Sequence, residues 1–215
     1  MKLCLRLIGI LCLLCFPGFS QDRDDSFFQE FYVSLNRTSL HDDNTEDRMG
    51  FGIGFSYCFL GNKTIKGVFG LEYNNTQFFK KRMYEAKTAY STDLTYYVHS
   101  LSFPLGIRFF FGRKNKLFIE AGGFADLVLY AKRKGFMHTY YPLNNQMYYQ
   151  TTEINHKAEL SNSVGFFAGM GIRIPLTGFD ITVKPEYKFG VNKIYQDYED
   201  LYNRYIRLCI GIRII

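Results

Sequence analysis

The chain has 215 residues, a formal net charge of +6, and 18% aromatic residues made up of 17 Tyr and 22 Phe, with no Trp. That length suits one domain, and the aromatic share is high for a soluble protein. The basic excess does not point to nucleic acid: the cations are scattered, and the longest run, Lys132-Arg133-Lys134, reads as a solvated loop edge.

The first twenty residues read as an export signal. Lys2 and Arg6 supply positive charge, Leu7 to Phe16 an apolar core, and Gly18-Phe19-Ser20 a small-x-small cleavage signature before Gln21. Cleavage is expected after Ser20, leaving residues 21–215 as one barrel domain. No later stretch approaches the roughly 18 apolar residues a membrane helix needs, so any membrane residence must come from strands. Cys4, Cys12 and Cys15 leave with the signal. Cys58 and Cys209 remain, on strands that both neighbour the first strand, about 9.6 Å apart at ~4.8 Å per strand. That is too far to bridge, so both are expected free and lumen-facing.

The first strand is expected from Phe28 to Leu40, with Phe31, Val33 and Leu35 on one face and Glu30, Tyr32, Ser34 and Asn36 on the other. An acidic loop, His41 to Arg48, follows. In Met49 to Leu60, Phe51, Ile53, Phe55, Tyr57 and Phe59 alternate with Gly50, Gly52, Gly54, Ser56 and Cys58. A turn at Gly61-Asn62-Lys63 leads to Ile65 to Phe78, where Glu72 opposes Phe69, Leu71 and Tyr73. Phe79 to Asp93 reads as a longer polar connection.

The central hairpin, Thr95 to Tyr130, organises the rest. Leu101, Phe103, Leu105, Ile107 and Phe109 share one face, against Ser100, Ser102, Pro104, Gly106 and Arg108. After the turn Gly112 to Lys116, Leu117, Ile119, Ala121, Ala125, Leu127 and Leu129 oppose Phe118, Glu120, Gly122, Phe124, Asp126 and Tyr130. Lys132 to Lys157 reads as the longest irregular segment. In Leu160 to Pro175, Val164, Phe166, Ala168, Met170, Ile172 and Ile174 alternate with Gly165, Phe167, Gly169, Gly171 and Arg173. Past a turn at Leu176-Thr177-Gly178, Phe179, Ile181, Val183, Tyr187 and Phe189 alternate with Thr182, Lys184, Glu186 and Lys188. A loop around Tyr195 to Asn203 precedes the last strand, where Ile206, Leu208, Ile210, Ile212 and Ile214 alternate with Arg207, Cys209, Gly211 and Arg213.

Each strand is about as long as a tilted strand crossing a bilayer, and the connections alternate long and short. In a soluble barrel the charged and glycine face would have to coat the outside. The pattern therefore reads inside out, as an all-β, eight-stranded antiparallel up-and-down transmembrane β-barrel in the outer membrane of a Gram-negative bacterium.

Eight strands leave a lumen only wide enough to be filled by side chains. The inward inventory is Arg108, Arg173, Lys184, Lys188, Arg207 and Arg213 against Glu30, Glu72, Glu120, Asp126 and Glu186. These nearly cancel, which favours a lumen ion-pair network over a selective channel. The expected role is structural or partner-binding, with a narrow porin-like pore or transporter for small solutes as the alternative. An enzyme is not expected. A lipid-facing deacylase needs a His-x-Ser pair, and two residues after His99 stands Leu101. The histidines do not cluster at metal-ligand spacing, and no cofactor or metal is expected. Within Lys132 to Lys157, Tyr140, Tyr141, Tyr148 and Tyr149 are candidate contacts for an external protein or glycan.

Leu101-Ser102-Phe103-Pro104-Leu105-Gly106-Ile107, followed by Phe118-Ile119-Glu120-Ala121-Gly122-Gly123, resembles the PorT-like family of small outer-membrane barrels. Gly165 to Gly171 and Lys184-Pro185-Glu186-Tyr187-Lys188-Phe189-Gly190 resemble later strands of that family. The resemblance spans most of the mature chain. It implies an eight-stranded barrel and does not fix an activity. Outer-membrane lipid and the barrel-assembly machinery are the expected partners of a barrel in that membrane.

Overall fold

The computed structural model describes residues 30–38, 45–61, 64–112, 116–144, 146–195 and 201–214. The expected signal and its cleavage point, and the turn residues 62–63 and 113–115, lie outside them. The regular structure among the described residues is ten strands: β1 (Glu30–Thr38), β2 (Thr45–Asp47), β3 (Met49–Gly61), β4 (Ile65–Ala86), β5 (Ala89–Phe111), β6 (Leu117–Leu143), β7 (Gln146–Lys157), β8 (Ser163–Leu176), β9 (Phe179–Tyr195) and β10 (Leu201–Ile214).

Eight of them pair antiparallel in the order β1, β3, β4, β5, β6, β8, β9, β10 and back to β1. The seam between β1 and β10 runs without a shift from Phe31↔Ile212 to Thr38↔Tyr205, so the ring has no open edge there. The two remaining strands sit at one rim. β2 pairs with β4, and β7 pairs with the upper part of β6 while β8 takes its lower part.

The polarity is inverted relative to a soluble barrel. Along β1 burial alternates strictly; the buried members are Glu30, Tyr32, Ser34, Asn36 and Thr38, and the exposed ones include Phe31, Val33 and Leu35. Lys188 is 0% exposed and Arg207 2%, while Ile107 is 60% and Phe166 65% exposed. Only a hydrocarbon surround makes that arrangement favourable, so this is a transmembrane β-barrel. On β6 the outward apolar stripe from Leu117 to Leu129 covers roughly 40 Å at ~3.3 Å per residue. A tilt of ~40° brings that to roughly 30 Å, the thickness of a bilayer core.

Two segments read as connections are strands. Phe79 to Asp93 is the top of a hairpin in which β4 and β5 keep one register from Ile65↔Phe109 to Tyr84↔Tyr90 and turn at Lys87-Thr88. Lys132 to Lys157 is a second hairpin, with β6 and β7 in register from Lys132↔Lys157 to Leu143↔Gln146. The physical reason is visible on β5. Below Ser100 the outward face is apolar and the inward face polar; above it Leu94, Tyr96 and Val98 point inward and are buried, while Thr95 and Tyr97 point outward. The strand leaves the bilayer at that height, so its greasy face changes sides without any change in backbone parity.

Tyr130 is a further correction. His99 pairs with Tyr130 and Ser100 with Val128, so a β-bulge at Leu129 reverses the parity of β6. Tyr130 is therefore on the outer wall, and Ala131 takes the inward place.

Candidate functional site

Within the ring, eight charged side chains form one unbroken chain of contacts. Glu30 meets Arg108 at 2.9 Å, Arg108 meets Glu120 at 2.6 Å, and Glu120 meets Lys184 at 2.9 Å. Lys184 lies 2.7 Å from Glu186, close but not aligned for a hydrogen bond, and Glu186 lies 2.5 Å from Arg207. Arg207 reaches Glu72 at 2.6 Å, and Lys188 reaches the same Glu72 oxygen at 2.7 Å. Four acids and four bases drawn from β1, β4, β5, β6, β9 and β10 thus neutralise one another. Removing such charges from water costs several kcal/mol per ion, and each gains mutual attraction in return only because every member has an opposite neighbour. Neutral groups fill the remaining valences: Tyr32 Oη donates to Glu72 at 2.5 Å, and Lys188 donates to Ser102 at 2.8 Å.

Three of the expected lumen residues stand apart from this chain. Asp126 is buried but accepts from Asn203 Nδ2 at 2.7 Å instead of meeting a cation. Arg173 lies 3.7 Å from Asp180 at the lower mouth, and Arg213 is half-buried there, opposite Asp180 in register. Asp180 has the same parity as Thr182 and Lys184, so the alternation that found those residues would have found it.

Aromatic and aliphatic side chains close both ends. Below, Phe110 and Phe118 pack with ring centroids 5.7 Å apart, Arg108 lies 4.4 Å over Phe118, and Arg173 lies 5.2 Å over Phe110. Phe118 has room only because β8 presents Gly171 beneath its ring, where a Cβ would collide with it. Above, Phe78 stacks on Tyr96 at 4.5 Å within an apolar cluster that includes Met83, Leu94, Val98 and Ile154. Between these plugs lie two hollows, each with room for about one water molecule. One is lined by Asp126 and Ser163, whose Oδ1 and Oγ have no hydrogen-bond partner; the other adjoins Glu30, Arg108 and Glu120. Cys58 and Cys209 are both buried and free.

A second constellation lies on the rim sheet made by the upper parts of β4 to β7. The register sets Tyr84, Tyr90, His138 and Thr151 in one row, with Tyr140↔Tyr149 above and Arg82↔Thr92↔Phe136↔Glu153 below. Tyr90 stacks on His138 at 4.7 Å, His138 on Tyr149 at 5.7 Å, and Arg82 lies 4.3 Å over Tyr90. Tyr149 Oη is 2.5 Å from His138 Nδ1, and Thr92 Oγ1 is 2.9 Å from His138 Nε2. The hydrogen bond with Tyr140, aided by partial burial, pushes the Tyr90 phenol up to about 12. This packing presents a cation held on aromatic faces at the surface, a composition that interfaces favour.

The four candidate tyrosines divide between the two faces of this sheet. Tyr140 and Tyr149 join the cluster, with centroids 5.2 Å apart, while Tyr141 and Tyr148 stack on each other at 5.9 Å on the opposite face. Arg82, Tyr84, Tyr90 and His138 carry no signal of a site in the sequence, because their segments lack the apolar stripe that marks the strands below. The signal that could have placed them on strands is the spacing Arg82-x-Tyr84, Tyr90-x-Thr92 and His138-x-Tyr140, which is strand periodicity without an apolar stripe. His99 faces outward beneath the rim, its Nδ1 2.5 Å from Tyr73 Oη. Among the described residues, no cluster of three His, Cys, Asp or Glu side chains could hold a metal.

The structure is similar to several solved ones. Ail, the attachment invasion locus protein of Yersinia pestis, shares 14% identity over 87% of this chain and 99% of its own, with a TM-score of 0.40. Neisserial surface protein A shares 14% identity over 87% of this chain and 95% of its own, with a TM-score of 0.42. CarO of Acinetobacter baumannii shares 8% identity over 90% of this chain and 100% of its own, with a TM-score of 0.40. No protein-family model matches the chain, and no curated protein sequence matches it. These three solved structures are outer-membrane β-barrels.

Proposed function

We propose that this protein is an integral outer-membrane barrel of the PorT-like kind, closed to solutes, that serves as a rigid base for a partner-binding sheet outside the cell. The tall hairpins mark the external rim and the short turns the periplasmic one, as in other outer-membrane barrels. Insertion by the barrel-assembly machinery, and export behind a signal removed after Ser20, belong to the same reading.

The observation that carries it is the unbroken ion-pair chain from Glu30 to Lys188, sealed between the Phe110–Phe118 pair and the Phe78–Tyr96 cluster. A permeant solute would have to break desolvated pairs that nothing else compensates. The rim sheet offers the contact surface, with the Arg82, Tyr90, His138 and Tyr149 cluster facing outward for an external protein or glycan. His99 is held by Tyr73 and has no serine partner two residues on, which favours an interfacial role over a catalytic one.

Planar-bilayer recording of the refolded chain tests the closed barrel. The expected trace stays at baseline; unitary current steps would select the narrow pore instead.

A further inference from the structure

Three lysines on the outer wall face one another without a counter-charge. Lys132 on β6 and Lys157 on β7 are directly opposite in register, and Lys134 follows on the same face between Thr95 and Asn155. The inward places of these strands belong to Ala131, Ile154 and Ala158, all buried, so the lysines point away from the barrel. Like charges placed directly across a strand pair repel, and an anion bound between them would relieve that repulsion.

Two other outward cations of the rim are paired with carboxylates. Arg37 lies 3.1 Å from Asp47, and Lys81 lies 3.7 Å from Glu46. Among the described residues, no ion pair joins Lys132, Lys134 or Lys157 to a carboxylate, although Glu153 stands on the same face; Lys134 instead lies 5.7 Å over the Tyr97 ring.

Their height says what the anion is. Tyr73, His99 and Tyr130 form an outward aromatic group at the top of the apolar stripe, with centroid separations of 6.0 and 5.8 Å around His99. Such rings mark the level where hydrocarbon gives way to headgroups. Lys132 pairs with Tyr97, two residues above His99, and Lys134 lies two residues higher. At ~3.3 Å per residue and a tilt of ~40°, the backbone of these lysines stands roughly 5 to 10 Å above the girdle, at the level of the phosphate layer.

We propose that Lys132, Lys134 and Lys157 form a binding site for the phosphate-bearing headgroup of an outer-leaflet lipid. The site rests on the outer-membrane placement above and is separate from the Arg82 and His138 cluster. Three ammonium groups supply up to nine donors around one anion, and the Tyr97 ring lies beneath the Lys134 ammonium.

The test uses the refolded chain in mixed micelles of phosphatidic acid and phosphatidylcholine at equal amounts, with bound lipid counted by native mass spectrometry. The chain is expected to retain phosphatidic acid over phosphatidylcholine by about tenfold. The Lys132→Gln, Lys134→Gln, Lys157→Gln triple variant should bring that ratio close to one. The Arg37→Gln, Lys81→Gln variant should leave it unchanged, and heat-modifiable gel migration verifies that each variant is folded. Equal retention of both lipids by the unmodified chain, or a preference that survives the triple substitution, overturns the site. Uptake of inorganic phosphate in lipid-free micelles that is lost in the triple variant also overturns it, by reassigning the lysines to a free anion. A chain that does not fold into phosphatidylcholine vesicles overturns the membrane placement itself before any lipid is counted.

Discussion

Arg207 grips Glu72 with both terminal nitrogens, Nη1 to Oε2 at 2.6 Å and Nη2 to Oε1 at 2.8 Å, across 135 residues of sequence. Both side chains are 1% exposed, and the flat guanidinium matches the carboxylate in a way a single ammonium cannot. Glu72→Gln and Arg207→Met are each expected to destabilise the barrel by roughly 3–5 kcal/mol, the cost of leaving a buried charge unpaired. Glu72→Gln should be the worse of the two, because it leaves Lys188 without its carboxylate, whereas Arg207→Met leaves Glu72 with Lys188 and Glu186 with Lys184. Replacing Glu72 and Arg207 together by apolar residues should cost less than the sum. Urea unfolding in lipid vesicles measures all three, and an additive double variant would show that the two groups are not coupled.

Gly171 and Gly178 are expected to resist substitution for different reasons. At Gly171 an added methyl meets the Phe118 ring, so Gly171→Ala should cost about 1–3 kcal/mol by overpacking, and Phe118→Leu should relieve part of it. At Gly178, in the turn between β8 and β9, nothing lies within 4 Å, but φ is +87°. Gly178→Ala should therefore lose about 1 kcal/mol through backbone strain, with no rescue from any neighbour. Unfolding midpoints of Gly171→Ala, of Gly171→Ala combined with Phe118→Leu, and of Gly178→Ala separate the two causes.

Tyr90 is expected to titrate late. Its phenol is held neutral to about 12, chiefly by the hydrogen bond with Tyr140. Because the folded value lies above the ordinary one near 10, the benefit to the rim sheet is whole below pH ~10 and is lost as pH rises through about 12. Ultraviolet titration should show a phenolate step near pH 12 that vanishes in Tyr90→Phe and moves down in Tyr140→Phe. A step unchanged in both variants would belong to another tyrosine.

Cys58 and Cys209 are expected to be silent toward thiol reagents in the folded barrel, since they are only 8% and 3% exposed and lie on the inner wall. In a chain beginning at Gln21, a colorimetric thiol assay should read close to zero before unfolding and two thiols after it, with or without reductant. A reading that rises only with reductant would reveal a disulfide.

The bilayer-spanning part of the fold was legible because hydrocarbon imposes one rule on every strand. Phe51, Leu105 and Ile210 had to point out, so Gly52, Gly106 and Gly211 pointed in. The same parity could place Glu72 and Arg207 inside but not beside each other, since height along a tilted strand depends on pairing between distant segments. Asp126 shows the limit: its face was readable, and its neutral partner Asn203 was not. Above the bilayer the rule lapses. Leu94, Tyr96 and Val98 turn their apolar side inward, and the stretch from Phe79 to Asp93 loses the stripe that marked strands below. The bulge beside Leu129, which sends Tyr130 outward, has no signal in the residues at all.

The ion-pair chain also constrains the order of assembly. Glu30 enters with the first strand of the ring and Glu72 with the third, while Arg108 comes with the fourth and Arg207 only with the last, so the first strands carry acids without their counter-ions. During insertion these groups must stay hydrated, and the interior can dry only when the terminal strand zips against the first. Sealing the seam and dehydrating the lumen are then a single cooperative event, and a barrel halted one strand short would remain a wet, open trough.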